Sequence, residues 1–301
     1  MYHGIIIVHK EKGYTSHDVV AKLRGICGQK KIGHTGTLDP EATGVLPVCL
    51  GSGTKLCDML TDKDKEYVAV LRLGVETDTQ DMTGRVLAEH MVEADEQQVR
   101  EAVMAFQGSY RQVPPMYSAL KVNGKKLYEL AREGKEVERQ AREVQIDRIE
   151  ILEMQLPLVK LRVACSKGTY IRTLCADIGE KLGCGGAMES LVRTRVGGFT
   201  LEKAMTLGQL QEWKDRGRLL EAVAPVESVF SGCPVLHVRR DLERLLDNGN
   251  PLTVAQTQEK EQYAPGRWVR FCWPDDRFAG IYAYDPGRER YQPVKMFLEQ
   301  E

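Results

Sequence analysis

The segment that most constrains this chain is residues 33–46, GHTGTLDPEATGVL, whose glycines and proline break regular structure. Glycines at 33, 36 and 44 allow close backbone approach by a ligand, and Pro40 stiffens the chain directly after Asp39. The stretch reads as a tight polar turn that holds Asp39 between Leu38 and Pro40, among the hydroxyls of Thr35, Thr37 and Thr43. A carboxylate held this way can act as a nucleophile or a base. It can equally accept backbone N–H groups of its own turn. The turn by itself leaves both readings open.

A chain of 301 residues can bury one large core and a small second one. Hydrophobic residues at 42% and charged residues at 28% are ordinary for a globular protein. No apolar run nears the ~20 residues that cross a bilayer, so no membrane partner is expected. The opening MYHGIIIV lacks a basic leader and reads as a first strand, with no export signal. Eight cysteines lie at 27, 49, 57, 165, 175, 184, 233 and 272, none in CxxC spacing and with no histidine cluster among them. Metal binding is therefore not expected, and such thiols suit a reducing cytoplasm. The net charge of −1 announces no polyanion, yet residues 116–142 carry seven Lys/Arg against four Asp/Glu. The first forty residues carry six against three. Patches of this kind suffice for phosphate contact if they share a face, although a solvated helix has the same composition.

Periodicity supplies the elements. Residues 1–8 and 67–73 (YVAVLRL) read as strands, the second alternating with period two. Ser16 is expected to cap a helix over 16–26, with Val19, Val20, Leu23 and Ile26 apolar. A second amphipathic helix is expected over 94–106, where Val99, Ala102, Val103 and Phe106 share a face. The two prolines of RQVPPM at 111–116 break regular structure. An Asn-Gly turn at 123–124, a short helix and many charges follow, as in an insertion able to close over a ligand. Strands return at 144–152 and 159–165, and a helix is expected over 170–182. Around 222–233 the texture changes to short strands between Asn-Gly, Pro-Asp and Pro-Gly turns, the pattern of a small separate β-rich domain.

Three long motifs resemble the TruB family, the bacterial tRNA pseudouridine-55 synthases: GHTGTLDPEATGVLPVCLG at 33–51, DKEYVAVLRLGVETDTQDMTG at 64–84 and CSKGTYIRTLCADIGEKLGCG at 165–185. PPMYSALKVNGKKLYELAREG at 114–134 is similar to that family's RNA-gripping insertion, and LVRTRVGGF at 191–199 to its last core motif. The C-terminal segment is similar to the PUA-type RNA-binding module of bacterial members. Colinear motifs over nearly the whole chain are far more specific than any single one.

The resemblance implies an α+β fold: a pseudouridine-synthase core on a mixed, mostly antiparallel sheet flanked by helices and loops, plus a small β-rich PUA-like C-terminal domain. The implied boundaries are 1–228 for the catalytic domain, with the insertion at about 114–142, and 234–298 for the RNA-binding domain. The implied activity is isomerisation of the T-loop uridine of tRNA by base flipping. The implied partner is the tRNA T-arm, with no cofactor, no obligatory protein partner and a monomeric enzyme.

Residue by residue, Asp39 matches the family's catalytic aspartate, which attacks the uracil ring or the ribose C1′, or assists through a glycal. Arg172, in GTYIRT, matches the arginine that pairs with it, where a guanidinium holds the carboxylate ionised and oriented. Tyr67 matches the tyrosine that stacks on the flipped uracil and serves in the final proton abstraction. His34 matches a residue that fills the vacated T-loop space, and Tyr170 and Leu191 match the lining of the uracil pocket. Lys10 matches a lysine that orients the first strand or a phosphate. Lys121, Lys125, Lys126 and Arg132 are the phosphate contacts expected of the insertion. Without the resemblance each of these reads as packing, an ion pair or a solvated face. The departures are His9 and Glu11, where Asp or Asn and proline are the family's usual residues, and they bear on Lys10 alone.

Two other classes compete. A non-catalytic tRNA-binding or folding protein of the same fold would keep the basic insertion, but Asp39, Tyr67 and Arg172 together speak against lost catalysis. A glycosidase needs two carboxylates and a zinc deaminase an H-x-E…C-x-x-C pattern. Beside Asp39 the motif offers only Glu41, and the deaminase pattern is missing. The acidic loop at 78–81 lacks the glycine and distal Glu of an EF-hand.

Overall fold

The computed structural model describes residues 1–122 and 124–298. Asn123, and with it the expected Asn-Gly turn, lies outside the described residues. In chain order the strands are β1 (Gly4–Lys10), β2 (Ile32–His34), β3 (Thr43–Leu50), β4 (Lys65–Leu73), β5 (Val75–Thr77), β6 (Val86–Glu89), β7 (Gly108–Gln112), β8 (Lys121–Val122) and β9 (Lys125–Lys126). They continue with β10 (Arg142–Gln155), β11 (Leu158–Cys165), β12 (Gly186–Val196), β13 (Phe199–Thr200), β14 (Val235–His237), β15 (Trp268–Cys272), β16 (Phe278–Asp285) and β17 (Arg290–Met296). The helices are α1 (Ser16–Cys27), α2 (Cys57–Thr61), α3 (Glu96–Met104), α4 (Leu127–Arg132), α5 (Ile171–Lys181), α6 (Leu207–Asp215) and α7 (Glu243–Asp247).

Alternation builds the main sheet. In β4, KEYVAVLRL, every second residue is buried, as expected of a strand with unlike faces. The strand order is β1-β3-β12-β4-β11-β10-β7, with β2 added to β3 and β13 to β12. The pairings are antiparallel except β3 with β12, where Val192 meets Thr43 and Arg193 meets Gly44. On its other edge β12 runs antiparallel to β4, with Arg193 opposite Tyr67 and Leu191 opposite Ala69. The sheet is thus mixed and mostly antiparallel. One residue, Arg193, stands in register between the exit of the 33–46 turn and Tyr67.

Two apolar layers cover the sheet. Val19, Val20, Leu23 and Ile26 of α1 pack with Leu207 and Leu210 of α6 on Ile6, Val8, Leu46 and Val48. Val99 and Val103 of α3 and Leu174 and Ile178 of α5 pack on β4, β10, β11 and β12. Each fully buried Leu or Val contributes about 1.5–3 kcal/mol. The cap of α1 is Thr15 rather than Ser16: Thr15 Oγ1 accepts the Asp18 N–H at 3.1 Å and Asp18 returns a bond to the Thr15 N–H at 2.8 Å. Ser16 is fully buried instead, and its hydroxyl accepts the Leu38 N–H at 3.0 Å. The residue expected to start the helix therefore anchors the turn that holds Asp39.

Within the 114–142 stretch, β8 and β9 form a hairpin that pairs Lys121 with Lys126, and α4 follows. A second sheet, β14-β15-β16-β17, forms around Leu236, Phe271, Tyr282 and Tyr291. Its Ile281 and Phe297 share an apolar cluster with Ile5, Cys49, Leu56 and Leu60 of the main sheet region, bridged by Val226 and Phe230. No helix of the described residues is long and apolar enough to cross a membrane. Among the described residues no group of three or more His, Cys, Asp or Glu is placed to hold a metal ion.

Candidate active site

The turn around Asp39 is fastened through its backbone. The Ala42 N–H reaches the Asp39 carbonyl at 3.1 Å, and the Gly13 N–H reaches the Pro40 carbonyl at 2.9 Å. Leu38 and Ala42, flanking Asp39, are buried in one cluster with Tyr67, Ile171 and Leu191. Among the described residues no backbone N–H is donated to the Asp39 carboxylate, so the self-capping reading of this acid fails. Its partner is Arg172, whose Nε lies 3.2 Å from Asp39 Oδ2. The Arg172 side chain is only 7% exposed, whereas that of Asp39 keeps 43% of its surface open. Burial, with Asp81 nearby, pushes the Asp39 carboxyl above the ordinary carboxylate range, against the pull of Arg172 and Lys10.

Arg172 makes three further contacts. Its Nη1 lies 3.6 Å from Asp81 Oδ2 and donates to the Thr79 carbonyl at 3.2 Å. Its Nη2 donates to the Tyr117 carbonyl, at the start of the insertion, at 2.8 Å. Asp81 is itself anchored, its Oδ1 accepting the Thr79 hydroxyl at 2.8 Å and the Thr83 N–H at 3.0 Å. The loop at 78–81 is therefore the second carboxylate support of Arg172. Sequence reasoning missed this role because a Thr/Asp turn that binds its own hydroxyls has the composition of many acidic loops.

Two other buried cations hold the turn by its carbonyls. Lys10 is fully buried, and its Nζ donates to the Pro40 carbonyl at 3.0 Å and the Glu11 carbonyl at 3.1 Å. Of the two roles expected of Lys10, orienting the first strand or a phosphate, these contacts accord with the first, since its ammonium ties the end of β1 to the chain beside Asp39. Burial lowers its pKa to about 8, partly offset by Asp39 and Glu41. Arg193, 1% exposed, donates from Nε to the Val45 carbonyl at 2.8 Å and from Nη2 to the Gly36 carbonyl at 3.2 Å. It grips both sides of the turn and was not among the expected site residues. The available signal was a charged residue at a core-facing position of a strand. Arg193 also opposes the upward push that burial gives the Tyr67 hydroxyl.

Gly44 shows why glycine is needed here. Its φ is +108°, and a Cβ would stand 2.2 Å from the Arg193 carbonyl oxygen. The close approach expected of a ligand at this glycine is made instead by β12 of the same chain.

The remaining expected residues are placed as follows. His34 is half-buried, meets the His17 ring edge-on at 5.2 Å, and its Nδ1 is buried without a partner among the described residues. Burial, with His17 and Arg193, lowers its pKa. Tyr170 is half-buried at the N-cap of α5, two residues before Arg172. Leu191 is 8% exposed within the Tyr67 cluster. Lys121 and Lys125 are exposed on the hairpin, and Lys126 Nζ lies 3.0 Å from the Tyr128 hydroxyl. Lys125 pairs with Glu133 at 3.5 Å across open surface, a contact too exposed to hold it. Asp39, Arg172, Tyr67 and Leu191 thus come together, while the lysines form a separate basic rim on the insertion.

Residues 24–171 match the family model described as TruB family pseudouridylate synthase (N-terminal domain), and residues 172–231 match the tRNA pseudouridylate synthase B C-terminal domain. The tRNA pseudouridine synthase B of Lachnoclostridium phytofermentans is 54% identical over 307 residues, covering 98% of this chain and 99% of its own. That of Bacillus pumilus is 41% identical, covering 100% and 99%. Among solved structures, an H/ACA RNP bound to a substrate RNA containing 2′-deoxyuridine matches with a TM-score of 0.74 at 26% identity, over 98% of this chain and 85% of that one. A Cbf5-Nop10-Gar1 complex matches with a TM-score of 0.74 at 28% identity, over 98% and 85%. With two family models matched in tandem and relatives alike from end to end, the chain belongs to the TruB family of pseudouridylate synthases.

Proposed function

We propose that this chain is a tRNA pseudouridine synthase that isomerises the T-loop uridine at position 55. The observation that carries the reading is Asp39, held 3.2 Å from a buried guanidinium while 43% of its side chain stays open. Relatives that bear the name tRNA pseudouridine synthase B support tRNA as the substrate. The isomerisation breaks the N1–C1′ bond and forms the C5–C1′ bond, C5 losing a proton and N1 gaining one. The substrate is neither oxidised nor reduced, so the residues must supply a carboxylate, a dry pocket and proton transfer.

Asp39 is the nucleophile in its ionised form, and Arg172 keeps it ionised and aimed. Tyr67 stacks on the flipped uracil and takes part in removing the C5 proton. Extracting a base costs a few kcal/mol of unstacking, which Tyr67, Tyr170 and Leu191 offset by giving it new apolar and aromatic faces. His34 fills the space that the base leaves. Lys121, Lys125 and Lys126 contact phosphates from the hairpin of the insertion at about 114–142. Residues 1–228 form the catalytic domain and 234–298 a PUA-like RNA-binding domain, in a monomeric, cytoplasmic enzyme without an obligatory protein partner.

Tritium release from tRNA labelled at uridine C5 tests the reading. The wild-type chain should release tritium, and Asp39→Asn should release none while binding tRNA as tightly. Release at the wild-type rate by the variant removes the nucleophile assignment, and no release by the wild type removes the function.

A further inference from the structure

Gln112 ends β7, is fully buried, and stands where the chain leaves the sheet for the insertion. Its carboxamide pairs at two points with the backbone of Tyr170. The Tyr170 N–H donates to Gln112 Oε1 at 2.8 Å, and Gln112 Nε2 donates to the Tyr170 carbonyl at 2.9 Å. Nε2 also donates to the Tyr110 hydroxyl. Tyr170 is the N-cap of α5, where no side chain of its own caps the helix. A backbone N–H at such an end has no partner within the helix and must find one elsewhere. A carboxamide offers a donor and an acceptor side by side on one short stem without having to gain or lose a proton. A carboxylate would set oxygen against the Tyr170 carbonyl, and an apolar side chain would leave the Tyr170 N–H buried and unmade.

The pairing fixes the first turn of the helix that carries both Tyr170 and Arg172. A second link runs parallel to it, since Arg172 Nη2 holds the carbonyl of Tyr117. Two residues near the base of the insertion, Gln112 and Tyr117, are thus keyed to two residues at the start of α5. We propose that Gln112 is a positioning residue: it sets the backbone of Tyr170, aligns Arg172 with Asp39, and ties both to the stem of the insertion. The inference rests on the function proposed above and assigns Gln112 no contact with the substrate.

The test compares Gln112→Met, which has similar length but no polar atoms, with Gln112→Glu measured at alkaline pH, where the ionised carboxylate keeps the acceptor and loses the donor. For each, tRNA affinity, the single-turnover rate of tritium release and the thermal transition are measured. The rate of Gln112→Met should fall about tenfold or more with tRNA affinity unchanged, and Gln112→Glu should show the same split. A wild-type rate in the folded Met variant overturns the proposal. So does a loss of rate, affinity and melting temperature in step, which would mark a plain structural strut. If Gln112→Met does not fold, Gln112→Asn decides, because it keeps both polar groups but draws them back from the Tyr170 backbone by one methylene. Slower turnover at unchanged affinity supports the proposal, and a wild-type rate overturns it. A wild-type chain that releases no tritium refutes the function instead, so the two failures are distinguishable.

Discussion

Replacing Arg172 with Met removes a guanidinium with four polar contacts and a side chain only 7% exposed. Two contacts are hydrogen bonds to the Tyr117 and Thr79 carbonyls, at 2.8 and 3.2 Å, and a charged donor makes each worth about 1.5–3 kcal/mol. Two are ion pairs, and breaking a buried pair from one side costs about 3–5 kcal/mol. These figures overlap because one group makes all four contacts. Asp39, with 43% of its side chain open, regains water when its partner goes, and Asp81 keeps its Thr79 and Thr83 bonds. The expected loss is therefore at the low end, ~3 kcal/mol, or ~6 °C in melting temperature for a chain of this size. The rate should fall about a hundredfold or more.

The pH profile isolates the electrostatic part. Burial and Asp81 already push the Asp39 carboxyl above the ordinary range, and Arg172 is the largest influence holding it down. Activity needs the ionised form, so it is lost as pH falls through this raised value. In Arg172→Met the acid limb of the residual activity should move to still higher pH. Arg172→Lys keeps the charge without the planar fork, so its limb should return toward the wild type while the carbonyl contacts stay incomplete. Calorimetry and single-turnover tritium release across the acid range measure both effects. An acid limb that stays put in the Met variant, or one equally displaced in the Lys variant, would refute Arg172 as the charge governing Asp39.

Asp39→Asn should melt no lower than the wild type at neutral pH although inactive. A carboxyl whose folded pKa is raised loses its stabilising contribution as pH rises through that value, so the variant's relative stability should grow with pH in calorimetric scans. Gly44→Ala should cost about 2–5 kcal/mol in denaturant unfolding, because φ +108° strains the residue and its Cβ meets the Arg193 carbonyl at 2.2 Å. A Lys125/Lys126 double alanine variant should flatten the slope of log affinity for tRNA against log salt by about 1–2. An unchanged slope would place the phosphate contacts elsewhere.

Local signals were legible because they need only near neighbours. The 33–46 stretch reads as a turn from its glycines and proline, and 67–73 as a strand from its alternation, and both form as expected within a few residues. What completes the site depends on pairings far apart in the chain. Arg193 reaches Val45 across 148 positions, and only the parallel pairing of β3 with β12 puts it there. Of the two arginines in MESLVRTRV, strand alternation marks Arg193 as facing the core, but nothing local says which carbonyls it reaches. The helix cap shifted from Ser16 to Thr15 for a related reason. Both are good capping residues, and the choice is made by Leu38, whose buried N–H needs the Ser16 hydroxyl.

The three buried cations around the 33–46 turn divide the work in a way that explains the half-open acid. Lys10 and Arg193 spend their hydrogen bonds on the Pro40, Gly36 and Val45 carbonyls, so they stiffen the turn without covering the carboxylate. Among the described residues only Arg172 touches the carboxylate, on one oxygen, which leaves Asp39 open to an incoming base. Lys10 and Arg172 both pull the Asp39 pKa down, but they differ in permanence. The guanidinium stays charged, whereas burial lowers the Lys10 pKa to about 8. Above that pH the neutral amine can still donate to the Pro40 carbonyl, so the turn keeps its shape while Asp39 loses one of its two favourable charges. The geometry of the turn is therefore insensitive to alkaline pH, and the ionisation of its acid rests there on Arg172, the cation that the Thr79, Asp81 and Tyr117 contacts hold in place.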